Sequence, residues 1–272
     1  MIKLTPVRSE KVWGYEDWIA STHPEGTQKE FIELVKDYPL LVKIIQANDT
    51  LSVQVHPDDK TAVKLEGPDA VGKTECWFVL DAAPDAKLIS GLNDNYSKEQ
   101  MADAIAQGKT ESLLNSISVK KGDFIFISAG TVHAIGGGLR LLEVQQNCNI
   151  TYRLYDWGRP REIHVEKALT SIVESGKNVK TKTSVEPLTD FSCEYFELHK
   201  KDVKGGYSYI NTDKDKVQLL YINSGNPVLH AVNQKTQKST SIIAKAEEIF
   251  AVPCGEKITV EGTASVIRII PR

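Results

Sequence analysis

Two histidines, a glutamine and a glutamate in this sequence are the residue types from which a divalent-metal site is built. In LSVQVHPDD, Leu51 to Asp59, the polar Ser52, Gln54 and His56 alternate with Leu51, Val53 and Val55, so a strand would project all three from one face. Pro57 and the two aspartates after it are turn formers that end this strand just past the histidine. Glu75 lies in GKTECWFVL and His133 in GDFIFISAGTVHAIGGG. Imidazoles from His56 and His133, with oxygens from Gln54 and Glu75, make a two-nitrogen, two-oxygen set that suits a borderline divalent ion, zinc above others. One histidine on a strand is usually structural, but two in stretches punctuated this way point to a metal.

Such ligands must be held by rigid elements, and the flanking sequence reads mostly as strand. TECWFVLDA places Glu75 and Trp77 on one face and Cys76 and Phe78 on the other. YPLLVKIIQ is an apolar run interrupted by Lys43, whose stem either snorkels to a strand edge or carries a cation into the site. From Val119 to Asp156 the pattern is nearly all β and reads as a meander through FIFIS, LRLLEVQQN and ITYRLYDW. Trp13 follows an extended lead-in at a bend, as a packing residue or a pocket wall.

Helices are few. Thr27 to Lys36 reads as a short amphipathic helix with Thr27 as N-cap and Glu30 completing a capping box. SKEQMADAIAQ opens a helical insertion over about 97–116, with Ser97 and Gln100 as its capping box, Gly108 as its stop and a second short helix at Glu111 to Ser116. His164 to Val173 reads as a closing helix. His23, His164, His199 and His230 lack the context of His56 and His133 and read as surface or structural.

A chain of 272 residues has room for two domains. SGKNVKTKTS, Ser175 to Ser184, is polar and aperiodic, the best linker, with a boundary near Thr181. The first domain is thus 1–180. The second, 181–272, holds short alternating runs that suggest a small antiparallel sandwich. A formal charge of -3 without a basic stripe argues against nucleic acid. The start lacks a signal h-region and Lys43 breaks the LLVKII run, so the expectation is a cytoplasmic protein without a membrane span. Cys76, Cys148, Cys193 and Cys254 form no C-x-x-C pair and read as buried free thiols.

The run from Gly122 to His133 resembles the second histidine motif of the cupin β-barrels, with Ser128 where proline is commoner. EEIFAVPCGEKI repeats the theme near the C-terminus, with Pro253 and Gly255 in place but Ile258 where the histidine would fall, so the second domain resembles a cupin without a metal. VQVHPDD, GKTECWF, GTVHAIG and LLEVQQNCNITYRLYDWGR together, in that order, resemble type I phosphomannose isomerase in its short bacterial form.

That resemblance implies a mainly β, cupin-type jelly-roll catalytic domain followed by a smaller cupin-like β domain. It implies one zinc ion per chain on Gln54, His56, Glu75 and His133, and interconversion of mannose 6-phosphate and fructose 6-phosphate. Glu143 and Arg153, with Lys43, Lys73 and Ser52, match its pocket positions. Glu143 is the expected base with Lys43 or Lys73 assisting, and Arg153 the phosphate anchor, unless an ion pair with Asp156 or Glu143 occupies it or Arg159 and Arg161 serve instead. The implied partner is a small sugar phosphate, with the chain as monomer or homodimer. Two other readings stand: without Gln54 the set is two histidines and a carboxylate, as in Fe(II) cupin dioxygenases, and the same scaffold can serve as a non-catalytic sugar-phosphate sensor.

Overall fold

A computed structural model describes residues 1–175, 178–179, 184–213 and 215–272. The boundary expected near Thr181 and most of the linker expected over 175–184 lie outside the described residues. The chain divides into two compact units, one of Arg8–Trp18 and Leu40–Pro187, the other of Met1–Val7, Ile19–Pro39 and Leu188–Arg272. The second unit therefore gathers three stretches of chain, where a single cut near 181 would have left one.

The first unit is built on two antiparallel sheets. One has seven strands, with Glu75–Ala82, Leu139–Gln146 and Leu40–Ala47 adjacent at its middle. The other has five, in the order Tyr152–Tyr155, Val53–Val55, His133–Ile135, Lys87–Leu92 and Leu114–Ser118. An apolar cluster that includes Trp77, Val79, Leu88, Ile125, Ile135 and Leu141 draws on both sheets. A second cluster, containing Val53, Val55, Met101, Ala134, Leu154 and Ala168, joins the five-stranded sheet to the helices Lys98–Ala106 and Val165–Ser171. Apolar clusters thus pack against this sheet from its own strands and from the helices.

The expected meander is corrected. Asp123–Ile127 and Leu139–Gln146 belong to the seven-stranded sheet, while His133–Ile135 and Tyr152–Tyr155 belong to the other. Successive strands cross between the layers, as in a jelly roll. Alternating hydrophobicity reports which face of a strand is buried but not which sheet the strand joins.

Helix ends show how far local signals reach. Ser97 and Gln100 form the expected capping box. At Lys29–Val35 the N-cap is Gln28, not Thr27, because a tight turn over Pro24–Gly26 directs the Thr27 hydroxyl to the His23 carbonyl while Glu30 accepts from Thr5 N. Glu111 to Ser116 is not a second helix: a short 3-10 turn, Thr110–Leu113, runs straight into the strand Leu114–Ser118. Asp59–Glu66 is a helix that the turn signal at Pro57 concealed, with Asp58 accepting from Thr61 N as its cap.

In the second unit an eight-stranded antiparallel sheet takes in Ile2–Lys3 as well as the C-terminal strands. Its spine is the pair Phe196–Ile210 and Glu256–Pro271. One half of Glu256–Pro271 pairs with Val228–Asn233 and the other with Gln218–Gly225. What was expected as a sandwich is one hydrogen-bonded sheet whose halves share an apolar cluster, with Leu220, Phe250, Ile258 and Val266 among its members. Of the four thiols, Cys76 and Cys148 are buried as expected, but Cys254 is exposed and Cys193 half-buried, because each sits beyond a strand end. No helix is long and apolar enough to cross a membrane among the described residues.

Candidate active site

Strand register brings the chemistry together. In the five-stranded sheet Gln54 stands opposite His133 on one side and Arg153 on the other. In the seven-stranded sheet Glu143 stands opposite Lys43 on one side and Trp77 on the other, and Gln145 opposite Glu75. His56 follows directly on Val53–Val55, and its carbonyl accepts from Gly130 N at 2.8 Å, which ties the two histidine motifs together through the backbone.

His56, Glu75 and His133 offer ligand atoms that all lie within 4.8 Å of one another. Glu75 Oε2 is 3.5 Å from His56 Nε2, and Glu75 Oε1 is 3.4 Å from His133 Nε2. The far ring nitrogens face carbonyls, His56 Nδ1 that of Ile150 at 2.8 Å and His133 Nδ1 that of Thr131 at 2.9 Å. A carbonyl only accepts, so each Nδ1 carries the proton and each Nε2 turns a lone pair toward Glu75. Burial drives both imidazoles toward the neutral form, His133 down to about 3 and His56 well below its usual range, where the positive charge of Lys73 adds to the effect.

Burial pushes the Glu75 carboxyl up, against the pull of Lys73, whose Nζ lies 3.1 Å away. Burial also disfavours the Lys73 charge, but Glu75, Glu143 and Glu16 outweigh it and hold the ammonium protonated. Glu75 Oε1 and His56 Nε2 are buried without a hydrogen-bond partner, while Glu75 Oε2 faces the Lys73 ammonium. Buried polar atoms left so are costly, and a cation among them removes the cost. The donor set fits a divalent metal. Gln54 presents Nε2 to His133 Nε2 at 3.4 Å, so its amide must turn over to offer Oε1 as a fourth ligand.

Beside this cluster opens a cavity of about 280 Å³, and Trp13, Lys43, Ser52, Lys73, Glu143 and Arg153 are all on its wall. Lys43 does not snorkel. It is buried, with Nζ 3.5 Å from both Glu143 Oε1 and Glu16 Oε2. Trp77 Nε1 donates to Glu143 Oε2 at 3.0 Å, which fixes that carboxylate and leaves Oε1 buried without a hydrogen bond. Ser52 Oγ donates to Gln54 Oε1 at 3.3 Å, and Trp13 belongs to the apolar core as well as the cavity wall.

Arg153 does not form the ion pair considered for it. Its Nη1 donates to the Glu162 carbonyl at 2.7 Å and its Nε has no partner. Asp156 is taken instead by Arg159 at 2.8 Å and Arg161 at 2.6 Å, and of these two Arg161 also lines the cavity. Lys11, Glu16, Asn149 and Thr151 line it too, and sequence reasoning missed all four. Glu16 had a readable signal: in GYEDWIA it shares a face with Trp18, a lone carboxylate on the buried side of a strand. Burial raises its pKa, but the charges of Lys43 and Lys11 and a hydrogen bond from Trp18 bring it below the usual range.

Residues 3–112 match the family model of the phosphomannose isomerase type I catalytic domain. A probable mannose-6-phosphate isomerase of Bacillus subtilis strain 168 is 31% identical, with 96% of each chain covered. The chain belongs to the type I phosphomannose isomerase family. The mannose-6-phosphate isomerase of Streptococcus mutans is 36% identical over 73% of this chain and 74% of its own. Among solved structures, the crystal structure of the mannose 6-phosphate isomerase from Bacillus subtilis superimposes with a TM-score of 0.83 at 28% identity, covering 98% of both chains. The mainly antiparallel β architecture expected from the cupin resemblance is the one this family has.

Proposed function

We propose that the protein is a zinc-dependent isomerase that interconverts mannose 6-phosphate and fructose 6-phosphate by moving a proton between C1 and C2. One observation carries the proposal: His56 Nε2 and Glu75 Oε1, each buried without a hydrogen-bond partner, converge with His133 beside a cavity lined with cations, in a member of this family. His56, Glu75, His133 and Gln54 would hold the metal, one ion per chain. A zinc ion held by these residues would supply Lewis acidity to polarise the sugar carbonyl.

The chain's own residues provide the rest. Glu143 Oε1, free of hydrogen bonds while Trp77 holds Oε2, would take the proton from one carbon and return it to the other. The Lys43 and Lys73 ammonium groups put positive charge beside the oxygens on which negative charge grows in the enediol. Arg153 has donors to spare for the C6 phosphate, whose binding orients the reacting carbons. Ser52 and Trp13 complete the sugar's wall.

The test is a coupled isomerase assay with mannose 6-phosphate on metal-quantified protein, before chelation, after it, and after zinc is returned. Activity that disappears and returns with zinc supports the reading. In Glu143→Gln, kcat should fall by about 10²- to 10⁴-fold with KM little altered, because a general base acts in the transition state and not in binding. Folded, zinc-loaded protein without turnover would overturn it, and ligand binding by that protein would favour the sensor reading.

A further inference from the structure

The two histidines of the cluster are oriented by different means. His133 Nδ1 meets the carbonyl of Thr131, two residues before it on the same chain segment. His56 Nδ1 meets Ile150, whose carbonyl is brought from a distant turn between the strands Leu139–Gln146 and Tyr152–Tyr155. The aim of His56 therefore depends on how that turn is held.

The turn is held from within. Gln145, fully buried, donates from Nε2 to the carbonyls of Gln146 and Cys148. Gln146 pins the base of the turn, accepting from Thr74 N at 2.9 Å and donating to Asp59 Oδ1 at 3.0 Å. At the top, Ile150 N donates to Cys148 Sγ at 3.3 Å. The Cys148 side chain thus sets the plane of the peptide that leads into Ile150, and through it the direction of the chain that presents the Ile150 carbonyl to His56.

We infer that Cys148 is a positioning residue for His56: its sulfur holds Ile150 so that the Ile150 carbonyl keeps the proton of His56 on Nδ1 and leaves Nε2 open to a metal. This rests on the metal-site reading above. The chemistry required of position 148 is a small side chain with an acceptor, so serine should replace cysteine and alanine should not. A carbonyl that meets the far nitrogen of a metal-bound imidazole orients the ring, and Cys148 acts one contact further out, on the residue that supplies that carbonyl.

The experiment uses the full chain, as unmodified protein, Cys148→Ala and Cys148→Ser. Zinc affinity is measured by competition with a chelator, and the tautomer of the His56 ring by nitrogen-15 NMR of the metal-free protein. Cys148→Ala should bind zinc up to about 10-fold more weakly, the low end of the range seen when a ligand's own outer partner is removed, because the Ile150 carbonyl remains. Cys148→Ser should stay close to the unmodified protein, and metal-free unmodified protein should carry the His56 proton on Nδ1. Unchanged affinity in the alanine variant, an equal loss in the serine variant, or a His56 proton on Nε2 would each overturn the inference. If the unmodified protein takes up no zinc, the metal-site reading fails, while the His56 tautomer still decides whether this turn aims the ring. The tautomer and the serine variant decide it as well should the alanine variant not fold.

Discussion

The same strand, turn and strand occur twice in this chain, with opposite results. In the first unit Asp123–Ile127 leads through Gly130, at φ 80°, to His133; in the second Ile249–Val252 leads through Gly255, at φ 76°, to Ile258. Both residues are fully buried three positions after the glycine. His133 faces Glu75 and stands in register with Gln54, whereas Ile258 stands in register with Ala231 inside an apolar cluster. A left-handed glycine turn places a buried side chain on the next strand, and the chemistry of that side chain and its neighbours decides whether the place is a site or a core.

Exchanging the two residues breaks the comparison most sharply. His133→Ile should cost zinc retention and reduce isomerase turnover by about 10³-fold, several kcal/mol of charge stabilisation. Metal analysis and the coupled assay read both losses. Metal-free His133→Ile should unfold at no lower urea concentration than metal-free unmodified protein, since an apolar side chain replaces a buried imidazole. In the reverse exchange, Ile258→His, a polar ring enters an apolar cluster without a partner, at a cost of about 3 kcal/mol in urea unfolding and with no zinc gained.

The glycines sharpen it further. A Cβ on Gly255 meets nothing within 4 Å, so Gly255→Ala should cost only the left-handed backbone term, about 1 kcal/mol. At Gly130 the same atom would lie 2.4 Å from Val173 Cγ2 and 2.9 Å from the Ser171 carbonyl, so Gly130→Ala should cost about 3 kcal/mol and shift the loop that precedes His133. Urea melts of the two variants test the contrast.

Acid tests the same contrast without a further substitution. The folded pKa of His133 is about 3, against a usual 6.5, so the unfolded chain binds the proton first. Its contribution to the stability of metal-free protein is whole above 6.5 and is lost as pH falls toward 3, by about 1.4 kcal/mol for each pH unit. Metal-free His133→Ile should show a shallower pH slope by that amount, and Ile258 provides no such slope in the second unit. A slope equal in both proteins would mean that His133 is not held neutral.

The glutamine, the glutamate and the two histidines could be singled out from LSVQVHPDD, GKTECWFVL and GTVHAIG because residue alternation and turn punctuation are properties of adjacent residues. The Ser97 capping box was legible for the same reason. Glu16 and Lys43 were harder: each is a charge on an apolar strand, and only their 3.5 Å pairing distinguishes a cavity wall from a snorkelling stem. The helix Asp59–Glu66 was hidden because Pro57-Asp58 can end a strand and cap a helix at once. The jelly-roll crossing was hidden because strands of either sheet alternate alike.

The sequence alone determined the residue types available for a metal site, the strands that carry them and the family resemblance, because each is written in short-range pattern. Only the tertiary structure decided that Lys43 turns inward, that Arg153 is free of Asp156 while Arg161 is not, and that a carbonyl at Ile150 aims His56. Those outcomes depend on sheet register and loop closure between segments far apart in the chain, and no local propensity encodes a register.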